Sequence, residues 1–261
     1  MMNTVATLDY ITHWLKTYID NSPCTGFVIG ISGGIDSAVS STLAARTGYP
    51  LICVEMPIHQ HPDQISRARE HIEFLKQQYP NVSDVEVNLS SVFDRFLEAL
   101  PVVPDELDPQ MPLVNTRARL RMSTLYYFAA LHNSLVVGTG NKVEDFGIGF
   151  FTKYGDGGVD LSPIADLVKT EVYALGRELG VNDAILQAAP TDGLWGDDRT
   201  DEDQIGASYP ELEWAMCFEG DEATLSERQA TVLAIYRRLN RANQHKMDPI
   251  PVCELPAELK A

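Results

Sequence analysis

The stretch Gly30-Ile31-Ser32-Gly33-Gly34-Ile35-Asp36-Ser37 packs glycines, two hydroxyls and one carboxylate into a short span. An apolar, partly β-branched run from Phe27 to Ile31 leads into it and reads as a short buried strand. The small residues after Asp36 can continue a helix. A strand, a glycine turn and a helix N-terminus together make an anion site. Glycines let backbone N–H groups approach a phosphate, and the helix dipole favours negative charge there. A carboxylate beside a phosphate repels it, so Asp36 needs a reason. A divalent cation between the two supplies one, since Mg²⁺ typically takes one or two carboxylates plus phosphate oxygens. The stretch is not a Walker A loop, because no Gly-x-x-x-x-Gly-Lys-Ser/Thr occurs in the chain. A tight βα turn with an Asp/Ser cap is the plain alternative.

Three further places carry reactive side chains. Arg117, Arg119 and Arg121 stand close together in a chain of net charge −17. They read either as a solvated helix face or as a grip for a phosphate or carboxylate. On a helix Arg117 and Arg121 share a face, and Arg119 points elsewhere. Glu144 follows a predicted strand, Leu135–Gly140, at the end where open α/β sheets bind ligands. It suits a second Mg²⁺ ligand, or an acid favoured by a helix dipole. Gly149-Phe150-Phe151-Thr152-Lys153-Tyr154-Gly155-Asp156-Gly157-Gly158-Val159-Asp160 reads as a shaped loop whose aromatic rings offer flat surface to a ligand ring.

The elements that must position these groups alternate. Apolar spacing predicts a helix over 6–20. Strands are expected at Leu51–Met56 and 84–89, separated by a helix over roughly 62–79. Ser90 is expected to cap a short helix ending near Leu100. Residues 101–115, rich in proline and acids, read as an irregular loop, and Asn115 opens a long helix to about 133. A helix over about 168–179 stops at Gly180, a loop begins at Pro190-Thr191, and the acidic run 196–203 reads as a possible lid. The last clear helix spans about 226–243, with His245 and Lys246 following it. The pattern predicts one α/β domain over 1–261, a doubly wound, mostly parallel sheet with helices on both faces.

The acidic balance argues against nucleic acid or an anionic membrane as partner. Cys24, Cys53, Cys217 and Cys253 form no C-x-x-C, which argues against a metal cluster or disulfide scaffold and fits a reducing cytoplasm. No signal peptide and no membrane span are expected.

Ser32–Ser37 resembles the signature of PP-loop ATP pyrophosphatases. Taken with Arg117–Met122, Gly138-Thr139…Glu144, the Gly149–Gly158 block, Asp160…Lys169, Pro190-Thr191 and His245-Lys246, in that order, the chain resembles the ammonia-dependent NAD synthetases. The resemblance covers most of the chain, and the Gly-Phe-Phe-Thr-Lys-Tyr-Gly-Asp-Gly-Gly block is its most specific part. It implies a Rossmann-like fold of the adenine nucleotide alpha hydrolase type and a homodimer. It also implies amidation of deamido-NAD⁺ through an acyl-adenylate, with ATP as co-substrate and Mg²⁺ as metal. By position, Gly30–Ser37, Thr139, Lys169 and Thr191 resemble ATP contacts. Asp36 and Glu144 resemble the Mg²⁺ ligands. Arg119, Lys153, Asp160, His245 and Lys246 resemble deamido-NAD contacts. Asp36, Lys169 and Asp160 are the catalytic candidates. No fused glutaminase domain is expected, so free ammonia is the expected nitrogen source. The chain departs from the family at Gly138-Thr139-Gly140-Asn141, where many members read Gly-Thr-Asp-His, and it has one extra residue before the Gly-Phe-Phe block. Two rival readings are another PP-loop enzyme, such as a tRNA thiolation or GMP-synthase-type pyrophosphatase, and a non-catalytic ATP sensor.

Overall fold

The structure, a computed structural model, describes residues 2–191 and 200–260. Strands β1 (Gly26–Gly30), β2 (Leu51–Glu55), β3 (Val82–Glu86) and β4 (Ser134–Val136) form one parallel sheet in the order β3-β2-β1-β4. Alternation along each strand splits its side chains between two cores. Phe27, Ile29, Leu51 and Cys53 face helices α1 (Thr4–Asp20), α2 (Ile35–Arg46) and α3 (Pro62–Gln78). Val28, Val54 and Val136 face the opposite side, against Phe93 of α4 (Ser90–Ala99) and Ala129 of α5 (Gln110–Leu131). The doubly wound expectation is met.

The remaining helices are α6 (Lys169–Glu178), α7 (Asp183–Leu186), α8 (Asp201–Ile205), α9 (Tyr209–Met216) and α10 (Glu227–Met247). A third core joins α8, α9 and α10 to a π-helix at Lys142–Ile148, through Val143, Ile148, Tyr209, Leu212 and Leu233. The π-helix lies in the stretch that precedes the Gly149–Gly158 block. Its i→i+5 winding holds one residue more per turn than an α-helix.

Several boundaries differ from expectation. Helix α5 starts at Gln110, not Asn115. Pro112 falls in its first turn, where a missing N–H costs no hydrogen bond, and Asp108 accepts from the Gln110 N–H at 2.9 Å. Ser90 does not cap α4. Asn88 Oδ1 takes the Ser90 N–H at 3.0 Å, and the Ser90 hydroxyl accepts from the His59 N–H instead. The last helix runs on to Met247, so His245 and Lys246 lie in its final turn. Of the acidic run 196–203, residues 196–199 lie outside the described residues. Thr200 caps α8, and its capping box with Asp203 makes 200–203 a helix start and not a lid.

His71 is 1 % exposed, its Nε2 pairs with the Ser41 hydroxyl at 2.9 Å, and its ring stacks on Phe74. Burial lowers its pKa from 6.5 to about 4. The unfolded chain therefore takes up a proton, as pH falls from 6.5 towards 4, that the folded chain refuses. Over that window stability falls, by up to about 3 kcal/mol. Urea unfolding at pH 7 and pH 4.5 should show this loss, and His71→Gln should flatten it. An equal loss in that variant would place the acid sensitivity elsewhere.

Candidate active site

The loop after β1 is built for close backbone approach. Gly33 has φ +79°, and a Cβ there would lie 2.6 Å from the Gln64 carbonyl oxygen of α3. Glycine alone meets both demands. Ser32 and Ser37 pair their hydroxyls at 3.0 Å, and Ser32 Oγ accepts from the Gly34 N–H at 3.2 Å. No side chain caps α2 at Gly34, so its first turn faces the cavity without a built-in acceptor.

Three elements then bring charge to that mouth. Lys169, first residue of α6, donates to Asp36 Oδ2 at 2.5 Å and to Glu144 Oε1 at 2.8 Å. Its side chain is 4 % exposed. Asn141 caps the π-helix through Oδ1, accepting from the Val143 and Glu144 N–H groups, and its Nδ2 donates to Asp36 Oδ1 at 3.3 Å. The Tyr209 hydroxyl donates to Glu144 at 2.5 Å and lies 3.3 Å from the Asp201 carboxylate. Burial raises the Asp36 carboxyl, and Lys169 only partly offsets it. Burial would raise Glu144 too, but Lys169 together with the Tyr209 and Asn141 hydrogen bonds lowers it. Burial alone would favour a neutral Lys169, yet the two carboxylates outweigh it and keep the ammonium charged.

Both carboxylates converge on one nitrogen, so both can reach one cation. Their hard oxygens suit Mg²⁺. Among the described residues no cluster of three or more His, Cys, Asp and Glu forms a complete metal cage. That fits an ion whose remaining ligands are phosphate and water.

Glu144 and Lys169 line one cavity of about 270 Å³, together with Gly30–Ser37, Thr139 and Thr191. Every residue expected to touch ATP or metal therefore meets in one place. The residues expected to touch deamido-NAD do not line that cavity. They gather at the seam of α5, the 149–160 loop and the end of α10. Arg119 Nη2 donates to the Lys153 carbonyl, Lys153 Nζ to the His245 carbonyl, and Lys246 Nζ to the Gly149 and Phe151 carbonyls. Asp160 has both oxygens engaged, one with the Tyr126 hydroxyl and one with the Val136 N–H. Arg117 lies 4.5 Å over the Phe93 ring, and Arg121 donates to the Met56 carbonyl and to Gln60 on the cavity wall.

Two groups escaped sequence reasoning. Tyr209, which holds Glu144, lay in a segment with no motif. Asp145, which lines the cavity, was overshadowed by Glu144. Asp156 also lines the cavity and accepts from the Thr152 N–H. Desolvation by the surrounding protein raises its carboxyl above the usual range. Burial raises Asp145 well above the usual carboxyl range, and Asp156 and Glu144 add to it.

Residues 7–249 match the family model described as NAD synthase. The NH(3)-dependent NAD(+) synthetase of Alkaliphilus metalliredigens is 39% identical over 256 residues, covering 96% of this chain and 99% of that protein. The protein of the same description from Carboxydothermus hydrogenoformans is 36% identical, covering 90% of this chain and 92% of its own. Among solved structures, the NMN synthetase from Francisella tularensis superposes with a TM-score of 0.83 at 31% identity, covering 98% of this chain and all of that one (100%). The NH3-dependent NAD synthetase from Campylobacter jejuni gives 0.76 at 27% identity, covering 97% and 100%. A phosphate-ready loop, a carboxylate pair around a lysine and a family match over most of the chain agree: the chain belongs to the NAD synthase family, ligases that use ATP to amidate deamido-NAD to NAD.

Proposed function

We propose that the chain carries out this amidation with ammonia, with ATP in the 270 Å³ cavity and Mg²⁺ held by Asp36 and Glu144. One observation carries the reading: the glycine loop, both carboxylates and Lys169 share that cavity. The loop amides and the open start of α2 would hold the pyrophosphate. Mg²⁺ would neutralise phosphate charge there. The nicotinate carboxylate attacks the α-phosphorus of ATP, an acyl-adenylate forms and pyrophosphate leaves. Lys169 lies where it would stabilise the charge that builds on the α-phosphate. Ammonia then attacks the acyl carbon and AMP departs. Most of the acceleration is positioning and charge stabilisation, since no enzyme-bound covalent intermediate is needed. Arg119, Lys153, His245 and Lys246 supply the positive charge for the dinucleotide at the seam, with Asp160 shaping it from the end of the loop. Val92 and Phe96 on α4, with Met111, Tyr127 and Leu131 on α5, are exposed, and this apolar surface supports a homodimer. The four cysteines are unpaired, which supports a cytoplasmic setting. No described helix is long and apolar enough to cross a membrane.

The likeness to the Francisella protein favours a second reading, in which the amidated substrate is the nicotinate mononucleotide. One assay separates these. The purified chain is given ATP, Mg²⁺, ammonium or glutamine, and either nicotinate nucleotide. Equal NAD⁺ and pyrophosphate from deamido-NAD with ammonium alone is expected. Faster turnover of the mononucleotide would move the assignment to the second reading. ATP binding without pyrophosphate release would leave a sensor.

A further inference from the structure

Arg67 reaches the glycine loop from α3. Its Nε donates to the Gly33 carbonyl at 3.3 Å, and a Cβ on residue 33 would come within 3.3 Å of the Arg67 Cβ. The side chain is half-buried and lines the 270 Å³ cavity. Beyond Nε the guanidinium fork carries further N–H donors on Nη1 and Nη2. Among the described residues no carboxylate pairs with Arg67, and the Gly33 carbonyl is the one acceptor it meets. Arg69 on the same helix behaves differently and takes both Glu55 and Glu86. Of the other cations on the cavity wall, Lys169 is committed to Asp36 and Glu144, and Arg121 donates to the Met56 carbonyl and to Gln60. In a chain of net charge −17, the fold thus sets a guanidinium without a carboxylate beside the glycine loop.

We propose that Arg67 grips the terminal phosphates of ATP and then the pyrophosphate that leaves, with Nε anchored on the loop and the Nη groups serving the anion. This rests on the amidation reading above. The Gly33 peptide that Arg67 holds belongs to the loop that would cradle the pyrophosphate. Lys169 serves the α-phosphate, and the cations at the seam serve the nicotinate nucleotide. Adenine and ribose carry no charge, so the terminal phosphates are the anions left for Arg67. A guanidinium fork matches two phosphate oxygens at once. As the nicotinate carboxylate bonds to the α-phosphorus, the bond from that phosphorus to the bridging oxygen breaks. Its electron pair stays on the pyrophosphate, and Arg67 stabilises that added charge.

The test turns on Arg67→Gln. Glutamine Nε2 lies as many bonds from the backbone as arginine Nε, so this variant keeps a donor for the Gly33 carbonyl and removes only the charged fork. The full-length chain is titrated calorimetrically with ATP or with AMP in the presence of Mg²⁺. The ATP affinity of Arg67→Gln should fall about tenfold or more, the scale of a hydrogen bond to a charged group. Its AMP affinity should stay unchanged, since AMP lacks the pyrophosphate. In ATP–pyrophosphate exchange with nicotinate nucleotide and no ammonium, the pyrophosphate KM should rise by a similar factor. Arg67→Lys keeps the charge and should recover part of both losses. Unchanged ATP affinity and pyrophosphate KM in Arg67→Gln would overturn the proposal and leave Arg67 as a prop of the loop. So would an equal loss of AMP affinity, which would mark a disturbed cavity, or a lysine variant no better than the glutamine one. An unsubstituted chain that binds ATP but releases no pyrophosphate would instead strike down the parent reading, so the two failures are distinguishable.

Discussion

Lys169→Met should lower turnover by about 10³-fold, the scale of removing one preorganised charge from a transition state, and should also destabilise the protein. Lys169 is the counter-ion of two carboxylates at once, at 2.5 and 2.8 Å. Both carboxylate side chains are less than one-fifth exposed, at 17% and 16%. Removing the lysine leaves Asp36 and Glu144 facing each other with no cation, and breaking a buried pair in this way costs about 3–5 kcal/mol. The variant should unfold at lower temperature. Millimolar Mg²⁺ should raise its melting point more than that of the unsubstituted chain, because an added cation restores the missing charge. An unchanged melting point would show that the three groups do not form one electrostatic unit.

Asp36→Ala should lose activity on a similar scale, about 10³-fold, but with the fold intact. The charge balance explains the difference. Without Asp36 the cluster still holds one cation and one anion, Lys169 and Glu144, with Glu144 supported by Tyr209. Asp36 is itself raised by burial, so its ionised form is costly to the folded chain. Pyrophosphate release should drop to background while circular dichroism and the melting point stay near those of the unsubstituted chain. Near-normal turnover would refute the assignment of Asp36 to the metal and phosphate.

The two variants separate what the lysine does for the fold from what the carboxylates do for the chemistry. They also bear on how the cavity tolerates a surplus of acids. Asp36 and Glu144 share the charge of Lys169, whereas desolvation raises the carboxyls of Asp145 and Asp156.

The phosphate loop was legible because everything it needs is contiguous. An apolar run makes the strand, Gly33 makes the turn, and Asp36 and Ser37 follow within one helical turn. The parallel sheet was legible too, because strands buried on both faces read as short apolar runs. Glu144 and Lys169 lie far from that loop in sequence; the place of Glu144 after a predicted strand suggested it as a partner of Asp36, whereas a resemblance was needed to join Lys169 to them. The start of α5 was misread because prolines and acids look like a loop, although Pro112 is well accommodated in a first turn.

The chain by itself determined the strand–glycine–helix loop, the α/β layering and the inventory of carboxylates, since these depend on local spacing and burial pattern. Only the tertiary structure decided which carboxylates meet. Lys169 reaches Asp36 and Glu144, separated from it by 133 and 25 positions, because α2, α6 and the π-helix start at one place, with the three residues in their first turns. Tyr209 reaches Glu144 from α9. Asp145, next to Glu144 in the first turn of the π-helix, fills the space beside Gly140. These meetings are set by long-range packing and by one unusual turn, and neither leaves a periodic trace along the sequence.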